Sequence, residues 1–266
     1  MKLRLLSSPF TMRSIELASR LILWGLKMRT VVITQPTYLP WLGYFYIMKE
    51  ADVFVFLDHV QFQRSSWQCR NRIKSPTGWF WLTVPTHRKG RCSIKDVEID
   101  NTQSWQKKHW KALKLNYGKA SYFDLYSPFF KSVYEKNWIK LVCLNIYIIK
   151  YLASQLGLAP IFLRSSKLRV QGKRTRMVLS ICKTLNADRY VTTPTAKEYM
   201  EEDNAEKLFR DEGIAIEFIK YSHPVYPQCF GEFCSHLSFV DCLFNCGSNS
   251  PKIVFSEDSN DLSQPD

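Results

Sequence analysis

Apolar and β-branched residues first gather at 31–34, Val-Val-Ile-Thr, a short run without polar alternation that suits a strand buried on both faces. Gln35-Pro36 ends the run, because proline has no N–H to donate and biases its predecessor to extended geometry. Over 39–49 apolar side chains recur at helical spacing, and a second strand-like run, Val53 to Leu57, sits between Asp52 and Asp58. Strand, turn, helix and strand within about thirty residues is the size of a βαβ unit. Downstream, 70–74 and 79–85 read as hairpin strands about the turn Ser75-Pro76-Thr77-Gly78, and 94–99 as a short strand. A helix is predicted over 105–117 behind the caps Asp100, Asn101 and Thr102, and a long one over 138–158 ending near Gly157. Strands at 161–163, 189–193 and 214–221 alternate with helices at 177–185, 197–200 and 205–212, and a last helix spans 237–244. The predicted class is α/β: a Rossmann-like open, mostly parallel sheet flanked by helices, with an inserted hairpin and helical elements.

Composition changes this picture modestly. A chain of 266 residues, 45% hydrophobic, is long enough for one large domain or a domain with an appendage. No run of about eighteen apolar residues is present, and 138–158 is broken by Lys140, Asn145, Lys150 and Gln155, so no membrane span is expected. Residues 1–30 are basic and read as an appendage, explained by an upstream start codon if Met28 marks the original beginning. The main domain is expected over 31–247 and a disordered acidic tail over 248–266. A net charge of +13 points to an anionic partner such as a nucleotide or sugar phosphate, although dispersed charge on an inert surface explains it equally well. No nucleic-acid-binding motif is present, so nucleic acid is not an expected partner. Of the eight cysteines, Cys229, Cys234, Cys242 and Cys246 lie close to His223 and His236, but their spacing fits no common zinc finger and no metal is expected. Without a secretory signal, reduced thiols and a cytoplasmic setting are the expectation.

Ligands of open α/β sheets sit outside the carboxyl ends of the strands, which puts Gln35, Tyr38, Asp58 and Gln61 near a site. Arg64, Arg70, Arg72 and Lys74 follow as bases able to clamp phosphates, and alternation puts the last three on one side of a strand. A charged, solvated edge strand is the competing reading. The basic loop 86–92 reads as a lid or a mobile turn. Ser165-Ser166 after a strand, and Gly172-Lys173 opening a helix, supply hydroxyls, backbone N–H groups and a positive helix end for phosphate. No Walker loop is present, and an ordinary capped helix accounts for the same residues. His223, Tyr226 and Gln228 lie in a segment stiffened by Pro224 and Pro227. Asp58 and His223 are the acid–base candidates, while Gln35, Tyr38, Asn71 and Gln228 would orient substrate. Gln61, Arg64, Arg72, Lys74, Ser165, Ser166, Lys173 and Tyr226 complete the expected binding set. His109 suits acid–base work by type, but a helix-surface or core position fits its helix better. The expectation is one anion-receiving cleft shared by the first two strand tips and the serine- and base-rich segment.

QPTYLPWLGYF (35–45), ADVFVFLDHVQF (51–62), RNRIK (70–74), WLTVP (81–85), HPVYPQCFGEF (223–233) and SHLSFVDCLFNCG (235–247) resemble the WbqC-like protein family. That family is associated with bacterial surface-polysaccharide gene clusters such as those for O-antigen. The resemblance therefore implies a role in glycan biosynthesis, alongside other proteins of that pathway. Many members carry histidine before the Gln-Pro pair where this chain has Thr34, and a glycine-containing turn where it has Thr192-Thr193-Pro194. The first unit is also similar to that of pantothenate-synthetase-type adenylate-forming ligases, whose phosphate-contacting histidines are absent from the matching positions, such as Leu39 and Tyr44. The resemblance implies acyl, aminoacyl or nucleotidyl transfer with ATP or a nucleotide sugar, and equally allows a noncatalytic module that binds a glycan or a protein partner.

Overall fold

The computed structural model describes residues 28–87 and 90–256. Residues 1–27, most of the expected appendage, lie outside it, as do 88–89 of the expected lid and 257–266 of the expected tail.

Five strands form a parallel sheet: β1 (Thr30–Thr34), β2 (Val53–Phe56), β5 (Ile161–Arg164), β6 (Arg189–Thr192) and β7 (Ala215–Phe218). Their order is β5-β2-β1-β6-β7. A separate antiparallel hairpin pairs β3 (Arg70–Ser75) with β4 (Gly78–Thr83). The helices are α1 (Leu42–Met48), α2 (Trp105–Tyr117), α3 (Phe123–Glu135), α4 (Leu141–Gln155), α5 (Arg174–Thr184), α6 (Lys197–Glu202), α7 (Ala205–Arg210), α8 (Phe239–Cys246) and α9 (Ser250–Val254). The predicted α/β class is the observed one.

Each central strand is apolar on both faces because each face carries its own core. Val32, Phe54 and Phe56 point into a large cluster built with α1, the hairpin, α2, α3, α4 and α8. Val31, Ile33, Val53 and Val55 point the other way, into a smaller cluster with Val178 and Ile181 of α5 and Phe209 of α7. The crossovers leaving β1 and β2 lie on the first face, and those leaving β5 and β6 on the second. The winding thus reverses at β1, and the crevice between β1 and β6 is the topological switch point of a doubly wound sheet.

Three local expectations need correction. Residues 94–99 form no strand. Ile94–Asp96 is a 3₁₀ turn, and the neighbouring backbone makes only isolated bridges, Thr86 with Ile99 and Glu98 with Lys140. Ile94, Val97 and Ile99 are buried, but no strand lies alongside to extend a ladder. At the amino end Thr30 already belongs to β1, paired with Arg189. At the carboxyl end the fold continues past 247 through α9, whose Val254 is buried and whose contacts include α1.

Candidate functional site

A cleft of about 450 Å³ opens at the switch point. Thr34 at the tip of β1 forms its floor with Thr192, Thr193 and Thr195 at the tip of β6. Trp41, Gly43 and Tyr44 of the turn and helix after β1 make one wall; Ile219, Lys220 and Tyr221 beyond β7 make another. Trp67 completes the lining. Several donors are already engaged: the Thr34 hydroxyl donates to the Gln35 carbonyl at 3.1 Å, and the Tyr44 hydroxyl to the same carbonyl at 3.2 Å. The Thr193 and Thr195 hydroxyls bond each other at 2.7 Å. Rings and hydroxyls with one nearby ammonium suit a ligand that offers a flat face and many hydrogen-bonding groups.

The aromatic wall is held from behind. The Trp41 indole stacks on His236 at 5.2 Å and on His223 at 6.3 Å, with Tyr221 edge-on. It also lies against Gly43, where an added Cβ would be 2.3 Å from the ring. His223 is fully buried. Its Nδ1–H donates to the Pro224 carbonyl at 2.9 Å, which leaves Nε2 to accept the His236 backbone N–H at 3.1 Å. Burial, then the neighbouring His236, lowers its pKa to about 4, so the ring is neutral at pH 7. His223 has neither a free nitrogen nor access to the cleft, and its geometry is that of a support for the 236–239 segment. That segment bonds the hairpin and the first turn through Ser238 N–H to the Arg72 carbonyl and Phe239 N–H to the Pro40 carbonyl.

Asp58 is also fully buried and its carboxylate is saturated. Oδ2 accepts Arg164 Nε at 2.6 Å and the Ser166 hydroxyl at 2.8 Å, while Oδ1 accepts the Ser166 N–H at 2.8 Å and the Ser165 hydroxyl at 3.1 Å. Burial raises its pKa, but the bonds from Ser166 and Arg164 outweigh that and hold it below the usual carboxylate range. Asp58 therefore ties the tip of β2 to the tip of β5. Ser165 and Ser166 are spent on that tie, with the Ser165 hydroxyl also 2.6 Å from His59 Nδ1. Lys173 is exposed beside α5, on the far side of the sheet from the hairpin. Asp58 brings only the β2 tip to the serine segment, while the switch-point cleft is lined by the β1 tip and the β6 turn.

The other predicted residues, Arg72 apart, fall into four groups. Gln35 lies at the β1 tip, its carbonyl oxygen Oε1 accepting Gln68 Nε2 at 2.6 Å. Tyr38 and Asn71 are buried: Asn71 Nδ2 donates to the Tyr38 and Leu39 carbonyls, and Tyr38 OH bonds Tyr134 OH at 2.7 Å and His109 Nδ1 at 2.8 Å. His109 Nε2–H donates to the Thr83 carbonyl at 3.1 Å, so His109 is a neutral core histidine whose burial lowers its pKa to about 4. Gln61 and Arg64 are exposed. Lys74, Tyr226 and Gln228 come together where the 228–232 segment covers the end of the hairpin, and the Lys74 ammonium donates to Gln228 Oε1 at 3.1 Å and to the Glu232 carbonyl. Asp241 joins them. Burial raises its pKa to about 6, against the pull of Tyr117, Tyr226 and Lys74, and neither of its oxygens has a close hydrogen-bond partner.

Sequence reasoning missed Trp41, Trp67 and Lys220 of the cleft's lining, and met Thr192 and Thr193 only as a departure from the family's glycine-containing turn. The threonines and Lys220 carried one signal, position at the carboxyl end of a predicted strand. Among the described residues no three His, Cys, Asp or Glu side chains gather as a metal site. No helix there is long and apolar enough to cross a membrane.

The winding and its crevice place the chain among the doubly wound α/β proteins. It belongs to the WbqC-like protein family, which matches it over residues 35–253. It is 32% identical to an uncharacterised protein of Mycobacterium tuberculosis, Rv1507c, over 228 residues that cover 84% of this chain and 96% of that one. No solved structure matches.

Proposed function

We propose that this chain binds a sugar nucleotide, amino sugar or related phosphorylated sugar in the β1–β6 crevice and acts on it during bacterial surface-polysaccharide synthesis. The observation that carries the reading is the coincidence of an aromatic, threonine-floored cleft with the switch point of the sheet. Family membership supports it through the role in glycan biosynthesis that the resemblance implies. Acyl, aminoacyl and nucleotidyl transfer are the reaction classes considered, with ATP or a nucleotide sugar as co-substrate. Thr34 is the proposed substrate contact at the β1 tip. A cytoplasmic setting accompanies the reading, supported by eight cysteines that are all free thiols.

A second reading is a noncatalytic module that holds a glycan or a protein partner. It is favoured by the cleft lining itself, which contains no carboxylate or imidazole among the described residues. Thermal shift of the full chain against ATP, CTP, sugar nucleotides and sugar phosphates separates the two. A ligand at a hundred times its Kd adds about 2.7 kcal/mol of stability. A shift with sugar nucleotides, followed by turnover of the bound compound, is the expected result. A shift without turnover supports the module, and no shift with any compound overturns the cleft as a small-molecule site.

A further inference from the structure

The outer face of the hairpin is not a plain charged edge. Register pairs Arg72 with Trp81 and Lys74 with Trp79, so these side chains and Arg70 share one face. Arg70 lies over the Trp81 ring at 4.1 Å. Arg72 sits among three indoles, 4.8 Å from Trp79, 5.6 Å from Trp67 and 5.9 Å from Trp81. The rings themselves interlock, Trp67 with Trp81 at 5.3 Å and Trp79 with Trp81 at 5.7 Å. Among the described residues no carboxylate pairs with either arginine, although ion pairs are common elsewhere on the surface. The Nε–H of both is covered and has no acceptor. Among the described residues the one protein acceptor for the Arg72 guanidinium is the His236 carbonyl, 3.2 Å from a terminal nitrogen.

Two fork-shaped cations held in place by stacking, and left without counter-ions, are prepared for an oxyanion. Stacking fixes the guanidinium planes in advance, so less side-chain freedom is lost when an anion binds. Trp67 and Trp79 remain 42% and 45% exposed, which leaves ring surface beside the cations. Trp67 also lines the switch-point cleft, so the two features are continuous. The cleft lining supplies only Lys220 as a cation, too little for a diphosphate.

We infer that the arginine–tryptophan face of the hairpin receives the phosphoryl groups of the ligand whose ring occupies the switch-point cleft. This rests on the cleft reading above for the ring. It assigns phosphate recognition to the hairpin and not to the Ser165–Lys173 segment, whose serines are committed to Asp58.

The test uses inorganic pyrophosphate as the probe, titrated calorimetrically into the full chain at low and moderate salt. Wild type is expected to bind it, more weakly as salt rises. Arg70→Gln with Arg72→Gln should lower that affinity at least tenfold, while Lys173→Ala leaves it unchanged. A circular dichroism melt of each variant reports folding, and Arg72→Lys checks the fork: it keeps the charge and should recover little of the affinity. Unchanged pyrophosphate binding in the double variant overturns the inference, as does loss through Lys173→Ala. No pyrophosphate binding by folded wild type also overturns it and leaves the face as an internal brace. Phosphate-free nucleosides and sugars are titrated in parallel. If they bind wild type and the double variant alike, the cleft and the hairpin act as separate parts of one site. If pyrophosphate binds and no ring compound does, the cleft reading fails, and with it the claim that the hairpin serves that cleft.

Discussion

At the scale of single residues, the sharpest feature is Asp58, an acid that looked catalytic by position and is a brace by contact. Its four accepted bonds reach across a separation of more than a hundred residues. Asp58→Asn keeps the shape but replaces two acceptor lone pairs with N–H donors facing Arg164 and Ser166. Breaking one side of a buried pair costs roughly 3 kcal/mol. The linkage has a definite sign. The folded pKa lies below the unfolded one, so the carboxylate contributes stability above the unfolded value near 4, and that contribution fades as pH falls through the lower folded value. Urea unfolding should therefore show a large deficit for Asp58→Asn at pH 7 that narrows below about pH 4. A deficit independent of pH would mean that packing, not charge, holds the two strand tips together.

At the scale of elements, α1 and the turn before it decide the shape of the cleft. Trp41 lies across Gly43, and the ring is pinned from the opposite side by His223 and His236. Gly43→Ala puts a methyl group where the indole is and costs about 1–3 kcal/mol if the ring stays, as overpacking does. The way out for the ring is toward the cleft. The expected outcome is a modest fall in melting temperature, loss of the near-ultraviolet signal of an ordered tryptophan, and a larger loss of ligand affinity. Equal affinity with a displaced ring would remove Trp41 from the site. Elements of this kind were only half legible in the sequence. The 105–117 helix is legible because Trp105, His109 and Leu113 repeat at its period. The hairpin is legible from its turn and alternation, but not its tryptophan packing, since indoles from three positions meet only after folding. The supposed strand at 94–99 fails because alternation announces burial, while a strand also needs a neighbour to pair with.

At the scale of the whole molecule, the sheet order decides which strand tips share a crevice. All five strands of the parallel sheet are announced by the sequence, yet their order is set by crossovers between elements as far apart as Thr30 and Phe218. Local reading therefore grouped β1 with β2 and β5, the strands closest in chemistry, and passed over β6, whose tip offers only threonines and a proline. Threonine carries no ionisable signal, and the proposal gives its hydroxyls weight only because the two β tips lie at the point where the winding reverses. Bound ligand should consequently slow amide hydrogen exchange at two segments far apart in sequence, 34–44 and 192–195, together with the hairpin at 70–83. The 165–173 segment, closed by Asp58 and turned from the cleft, should exchange at the same rate with and without ligand. Protection confined to 58–61 and 165–173 would instead move the site to the β2–β5 edge, and the crevice between β1 and β6 would then be a feature of the fold without a role in binding.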